Sequence, residues 1–279
     1  MDRRFKHRYN GLEDEAVEVI EVINHKSYKI GNKEIRVETE KAKLYKPFEG
    51  IKPEKKPLAL EDQHIEVHNE STVDTIFREC NHITREYRKV GVLNFASATS
   101  PGGGFVNGCT AQEEMLCQSS NLWRQLEDFK DEYNASFREI KTMGDKAGLY
   151  NDKMYVSNTL FFRDSRLLFV EHPVMCTVVT SAAVNVTRLK GSAFDDIEKT
   201  MRRRMELILH RFIEEKCNVI ILGAFGCGVF KNDQNLIANI WKDLLVAYGG
   251  YFDKVIFTVL CKGYNTENID AFNRTFNKE

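Results

Sequence analysis

A layered α/β fold, its sheet covered on both faces by helices, is what the amino-acid sequence predicts. Three observations carry this. Short apolar runs recur at Val90–Phe95, 176–180, 218–223 and 254–259. A strand apolar at every position is buried on both sides. Amphipathic stretches of helical period lie between these runs. Strand and helix therefore alternate, the order expected of an α/β sheet.

Residues 12–24 read as an acidic helix, although their valines and isoleucines weaken the signal. A hairpin follows over 28–38, turning at Gly31-Asn32. Residues 44–62 hold three of the five prolines and several lysines, which marks a connector and a boundary near residue 60. His64 to His68 alternates as a strand, and Ser71 or Thr72 can cap a helix running to about Tyr87. After Val90–Phe95 and a glycine loop, one helix is expected over 113–129, with Met115, Leu116, Leu122, Trp123 and Leu126 inward. Residues 130–150 are polar and assigned to no element. Short strands are expected at 154–156 and 160–162, a buried one at 176–180, and a long helix over 194–215. Strand 218–223, helix 234–248 and strand 254–259 complete the pattern.

The chain has 279 residues, enough for one large domain with an appendage. Forty basic against forty-one acidic residues give a charge of −1, which argues against general nucleic-acid binding or a polybasic membrane anchor. Seven scattered cysteines without a CxxC argue against a disulfide framework and a thiolate zinc site. The basic start is followed by no apolar segment, and no run approaches the ~20 apolar residues of a spanning helix. The expectation is a soluble, cytoplasmic protein.

The chemistry centres on Ser100-Pro101-Gly102-Gly103-Gly104-Phe105, at the carboxyl end of a predicted buried strand. Glycines let backbone amides approach an anion closely, and open α/β sheets bind ligands at such strand ends. The plain alternative is a surface turn. Neither the GK[ST] of a P-loop nor GxGxxG spacing is present. Gln112-Glu113-Glu114 follows, at a helix start where acids also simply favour the helix dipole. Adjacent helical side chains diverge by about 100°, so two functional acids would take separate roles, one orienting substrate and one moving protons. A second loop, Gly223-Ala224-Phe225-Gly226-Cys227-Gly228-Val229-Phe230, also follows a buried strand and precedes a helix, so a diphosphate could sit between the two. Phe230 offers a stacking face or a core side chain. Cys227 has no histidine nearby in sequence and is a poor candidate nucleophile. His64 and His68 share a strand face and could ligate a metal, though a satisfied pair is the commoner outcome. Arg202-Arg203-Arg204 reads as a solvated face, and Asn185 as a ligand contact or a turn cap.

Taken together, Asn94-Phe95-Ala96-Ser97-Ala98, Pro101-Gly102-Gly103-Gly104, Ala111-Gln112-Glu113-Glu114 and Leu116-Cys117-Gln118-Ser119-Ser120 resemble the bacterial-type poly(ADP-ribose) glycohydrolases. That family carries a triple-glycine loop, a short spacer and Gln-Glu-Glu. The resemblance covers most of the chain. It implies a macrodomain-like fold over 61–279, a mixed, mostly parallel sheet sandwiched by helices, with 1–60 as an N-terminal helical extension packed on it. It implies hydrolysis of the ribose–ribose O-glycosidic bond, mainly from the polymer end, releasing ADP-ribose without metal or cofactor. By the same resemblance Glu114 is the acid and base, and Glu113 and Asn94 hold the ribose beside the scissile bond. Gln112 belongs to the ADP-ribose-binding set. Gly102, Gly103 and Gly104 line the diphosphate opposite Gly226, Cys227, Gly228 and Val229, with Phe230 against the ligand. The implied partners are poly(ADP-ribose) or ADP-ribosylated proteins, with no direct nucleic-acid or membrane contact. A non-catalytic ADP-ribose reader, or a hydrolase of mono-ADP-ribosyl or O-acetyl-ADP-ribose linkages, is the alternative. The chain departs from the family at Ser157-Asn158 ahead of Phe162-Arg163-Asp164, and at Ala183-Val184-Asn185. Both are expected in loops shaping the adenosine or polymer end.

Overall fold

The computed structural model describes residues 11–81, 88–261, 263 and 265–277. In chain order the elements are α1 (Leu12–His25), β1 (Ser27–Ile30), β2 (Lys33–Arg36), β3 (Lys43–Tyr45), β4 (Ile65–His68), α2 (Thr72–Asn81), β5 (Val90–Phe95), α3 (Gln112–Gln118), α4 (Leu122–Glu127) and α5 (Lys130–Thr142). β6 (Met154–Arg163), β7 (Phe169–Ser181), α6 (Ile197–Glu214), β8 (Val219–Leu222), α7 (Gln234–Tyr248), β9 (Lys254–Thr258) and α8 (Glu267–Phe276) follow.

Seven strands form one sheet in the order β3-β6-β7-β5-β8-β9-β4. β7, β5, β8, β9 and β4 run parallel, and β6 is antiparallel to both β7 and β3. Alternation along the buried strands divides the core into two. Leu93, Ile220, Leu222, Val255 and Phe257 face the side packed by α6, α7 and α8. Val90, Val92, Val219, Ile221 and Ile256 face the side packed by α1, α2, α3 and α4. The continuous apolar runs are thus two interleaved period-two faces.

The segment before residue 60 packs tightly on the rest. β1 and β2 make the expected hairpin, with Gly31 at φ 59 in the turn. α1 buries Ala16, Val19, Val22 and Ile23 against the core that also contains Phe105 and Leu116. Its outer acids hold the fully buried Arg163, which pairs with Glu15 at 2.6 Å and with Glu18. β3, at the start of the proline-bearing connector, supplies the sheet edge beside β6.

Several expectations are corrected. The helix expected over 113–129 is two helices, because the backbone of residues 119–121 bonds to β6 instead of continuing the coil. Ser119 O accepts from Phe162 N at 2.9 Å, Asn121 N donates to Leu160 O at 3.3 Å, and the Asn121 side-chain Oδ1 accepts from Leu160 N at 2.9 Å. The polar stretch 130–150 contains α5, which buries only Tyr133, Ser136 and Ile140 along one narrow stripe. The two short strands at 154–162 are the single strand β6, so Ser157-Asn158 and Phe162-Arg163 lie in the sheet, not in a loop. α8 has no counterpart among the expected elements. Ser71 caps α2, its Oγ accepting from Asp74 N at 3.1 Å; the rest of the helix expected to Tyr87 falls on residues 82–87, outside the described residues.

Candidate active site

A cavity of about 920 Å3 opens at the carboxyl ends of β5, β7, β8 and β9, where the loops after these strands meet. This is where a parallel sheet offers its ligand crevice.

The first wall is built by α3 and the glycine loop. Gln112 clamps the helix start to β5: its Nε2 donates to Leu93 O at 2.8 Å and its Oε1 accepts from Phe95 N at 2.9 Å. That fixes the next two residues, and both carboxylates converge on the glycine loop. A methyl on Gly103 would overlap Oε1 of Glu114 and sit 2.9 Å from Oε2 of Glu113. The two acids share one small site despite their angular separation on the helix, because the loop folds across the helix start. Glu113 Oε1 accepts from Asn94 Nδ2 at 3.2 Å and its Oε2 from Ser97 N at 2.7 Å. Glu114 Oε1 accepts from Gly104 N at 2.8 Å. The other oxygen of Glu114, Oε2, is buried without a hydrogen-bond partner among the described residues.

Burial, with the charge of Glu114 beside it, lifts the Glu113 carboxyl from its ordinary 4.5 to about 8, against the opposing bonds from Ser97, Asn94 and Gly102. Near neutral pH the Glu113 carboxyl therefore still holds its proton. The neighbouring Cys117 thiol is held far above its ordinary range by burial and by both glutamates.

The second wall is the loop after β8. Gly226 is at φ 76, and a Cβ there would lie 2.5 Å from Ala183 Cβ, so only glycine fits the turn. Among the described residues the backbone amides of Gly228, Val229 and Phe230 donate to no protein acceptor. Val229 is 74% exposed. Phe230 meets Tyr150 edge-on at 6.0 Å, and Tyr150 Oη accepts from Asn185 Nδ2 at 3.1 Å.

Of the candidate residues, Gly103, Gln112, Glu113, Glu114, Gly226, Gly228, Val229 and Phe230 line the cavity. Asn94, Gly102, Gly104 and Cys227 stand behind its wall. Asn94 is fully buried and bonds Glu113 and Thr180. Gly104 gives its amide to Glu114. Cys227 is buried, which pushes its thiol up to about 12 and leaves no thiolate for attack. Asn185 both lines the cavity and caps the following turn, accepting from Thr187 N at 3.2 Å. His64 and His68 each bond Glu66, at 2.9 and 2.8 Å, and lie outside the cavity. Among the described residues no group of three or more His, Cys, Asp or Glu could hold a metal ion. Arg204 is not solvated but fully buried on Asp152 at 3.1 Å. Sequence reasoning missed Ser97, Tyr150 and the wall from Thr258 to Cys261. Only the last had a signal, as the end of a predicted buried strand.

Residues 16–164 match the family described as microbial-type PARG, catalytic domain. The chain belongs to this family. The microbial-type PARG match runs from within α1 to the end of β6, and so includes both glutamates and the glycine loop. Solved structures extend the likeness over nearly all of the chain. The poly(ADP-ribose) glycohydrolase from Thermomonospora curvata is 28% identical, with a TM-score of 0.83 over 95% of this chain and 99% of that one. The same enzyme bound to the inhibitor ADP-HPD gives 28% identity and a TM-score of 0.80 over 94% and 98%. The Deinococcus radiodurans enzyme in complex with ADP-ribose gives 28% and 0.71 over 85% and 94%. No curated protein matches the chain. The mixed, mostly parallel sheet between helices is the architecture these PARG structures share with it. Among the described residues no helix is long and apolar enough to cross a membrane.

Proposed function

We propose that this poly(ADP-ribose) glycohydrolase acts mainly from the polymer end, with Glu114 as general acid and base. The observation that carries the assignment is the asymmetry of the two acids. Both oxygens of Glu113 are held by the protein, whereas Glu114 keeps one buried oxygen unpaired beside the cavity.

The diphosphate of ADP-ribose lies against the unpaired amides of residues 228–230, an anion-binding backbone run. Phe230 packs on the ligand. Asn94, Gly102 and Gly104 act through the two glutamates, and Glu113 meets the ribose hydroxyls. Glu114 protonates the ribose oxygen that leaves, as the glycosidic bond breaks and positive charge develops at the anomeric carbon. The ligand's own diphosphate offsets that charge. Glu114, now a carboxylate, takes a proton from the water that adds to the anomeric carbon, and is restored.

Poly(ADP-ribose) on modified proteins is the substrate in this reading, and ADP-ribose the product. Residues 1–60 are the extension in this reading, of which the described part, from residue 11, buttresses the catalytic domain 61–279 and lends it β3. A cytoplasmic setting is part of the proposal, supported by seven cysteines of which none is paired.

The test is Glu114→Gln, assayed by mass analysis of products from automodified polymerase, with calorimetry of ADP-ribose binding alongside. The loss of a general acid predicts a fall of about 10²–10⁴-fold in ADP-ribose release, with binding retained. Near-normal turnover would remove Glu114 from the role.

A further inference from the structure

Arg204 of α6 is a fully buried charge to which the chemistry above gives no part. A buried ion pair adds little stability by itself, since well-packed apolar side chains of similar volume often serve as well. What it adds is geometry, and this guanidinium is committed on every side. Nε donates to Asp152 Oδ1 at 3.1 Å, Nη1 to Ala182 O at 2.8 Å and Nη2 to Leu149 O at 2.8 Å. The other oxygen of Asp152, itself buried, accepts from Arg203 Nε at 2.7 Å. The planar fork thus ties the chain leaving β7 to the chain that leads into β6. A lysine, a single point of charge on a flexible stem, cannot reproduce that grip.

Each of the two carbonyls belongs to the peptide bond of a residue in the cavity wall. Leu149 precedes Tyr150, and Ala182 precedes Ala183; Tyr150 and Ala183 both line the cavity. Tyr150 stands at φ +58, the left-handed region that a tyrosine rarely adopts. Such a backbone persists only where its surroundings hold it. The same turn is closed from its other end, where Gly148 O accepts from Asn185 N at 2.8 Å. A Cβ on Gly148 would lie 2.1 Å from Asn185 O, so the approach requires glycine. The Tyr150 ring packs with Ile140 and Ala182 and meets Phe230 edge-on. Its hydroxyl accepts from Asn185 Nδ2 and donates to no acceptor among the described residues.

We propose that Arg204 is a positioning residue for ADP-ribose binding: it holds Tyr150 against Phe230 in the cavity wall, where the Tyr150 hydroxyl donates its free proton to the ligand. The inference rests on the reading of this cavity as the ADP-ribose site, and not on the role given to Glu114. Arg204 itself does not line the cavity. Among the described residues the groups that anchor Glu113 and Glu114, which are Asn94, Ser97 and Gly104, share no hydrogen bond with Arg204 or Asp152. Loosening the fork therefore weakens binding while the acids keep their alignment. KM rises and kcat stays close to its value, the pattern of an interaction made equally in the ground and transition states.

The experiment measures calorimetric affinity for ADP-ribose, with KM and kcat for its release from polymer, in wild type, Arg204→Lys, Tyr150→Ala and the double variant. Melting curves establish that each is folded at the assay temperature. Arg204→Lys should weaken ADP-ribose binding by about tenfold, the worth of one well-placed hydrogen bond, with kcat within about twofold of wild type. In the Tyr150→Ala background the same substitution should cost less than about threefold, because the residue it acts through is already gone. Equal losses in the two backgrounds overturn the positioning role, as does Arg204→Lys with wild-type affinity or with a loss confined to kcat. If Arg204→Lys does not fold, Arg204→Met, which leaves Asp152 paired with Arg203, takes its place and is read by the same criteria. If wild type binds ADP-ribose but releases none from polymer, the hydrolase reading fails, while the affinities still decide the role of Arg204.

Discussion

Gly103→Ala tests whether the glycine loop exists to let two carboxylates meet. Gly103 has φ +59, so an alanine there carries the left-handed penalty of about 1–2 kcal/mol. The added methyl also meets the catalytic pair, overlapping Glu114 Oε1, with Glu114 Cδ at 3.2 Å and Glu113 Oε2 at 2.9 Å. These acids cannot swing away freely, since Ser97, Asn94 and Gly104 hold them. Glu114 must therefore shift by on the order of 1 Å, a displacement that costs roughly 10²-fold in rate. That corresponds to about 2.7 kcal/mol of transition-state stabilisation. The assay is kcat/KM for ADP-ribose release from polymer, with urea denaturation to separate folding from chemistry. Gly191→Ala is the control for stability, because Gly191 has φ +54 and a Cβ there meets nothing within 4 Å. If Gly103→Ala keeps wild-type kcat/KM, the loop is not what aligns the acids and the argument fails.

Two further outcomes follow from buried charge. The Glu113 carboxyl is raised from 4.5 to about 8, so the folded state binds its proton more tightly than the unfolded chain does. Stability should therefore fall as pH rises from 4.5 through 8, by on the order of a few kcal/mol. Glu113→Gln should flatten that dependence and exceed wild type in urea midpoint on the alkaline side; parallel pH profiles for the two proteins would refute it. Arg163→Ala removes the cation that Glu15 and Glu18 bind and that lies 4.6 Å over the Phe169 ring. A loss of about 3–5 kcal/mol is expected by chemical denaturation, whereas an unchanged midpoint would mean that α1 is held by its apolar face alone.

Most of the parallel strands were legible because burial on both faces leaves a nearly continuous apolar run, whereas β4 was legible from its period-two alternation. The two loops were legible because glycine is needed where backbone turns sharply at a strand end. α5 was not, since it buries three residues and keeps the rest in water, so its composition resembles a loop. The break between α3 and α4 was hidden for the opposite reason: Met115, Leu116, Leu122, Trp123 and Leu126 keep a helical stripe while the backbone between them bonds to β6. In the site, Glu113 and Glu114 were legible as residues but their convergence was not, because it depends on where the loop crosses the helix. Ser97 contributes only its amide, and a backbone contact leaves no trace in residue type.

The placement of the cavity walls has a consequence for the order in which the site comes into being. The glutamates and their anchors lie between residues 94 and 114, but the facing wall belongs to residues after β8 and to the end of β9. On a ribosome the acidic half emerges first and stays in water, where neither carboxyl is desolvated. Only after β8 pairs with β5, joining residues more than a hundred positions apart, and β9 adds beside β8, does the crevice close around the pair. A chain released early would carry the whole Gln-Glu-Glu signature and still lack a place for its substrate.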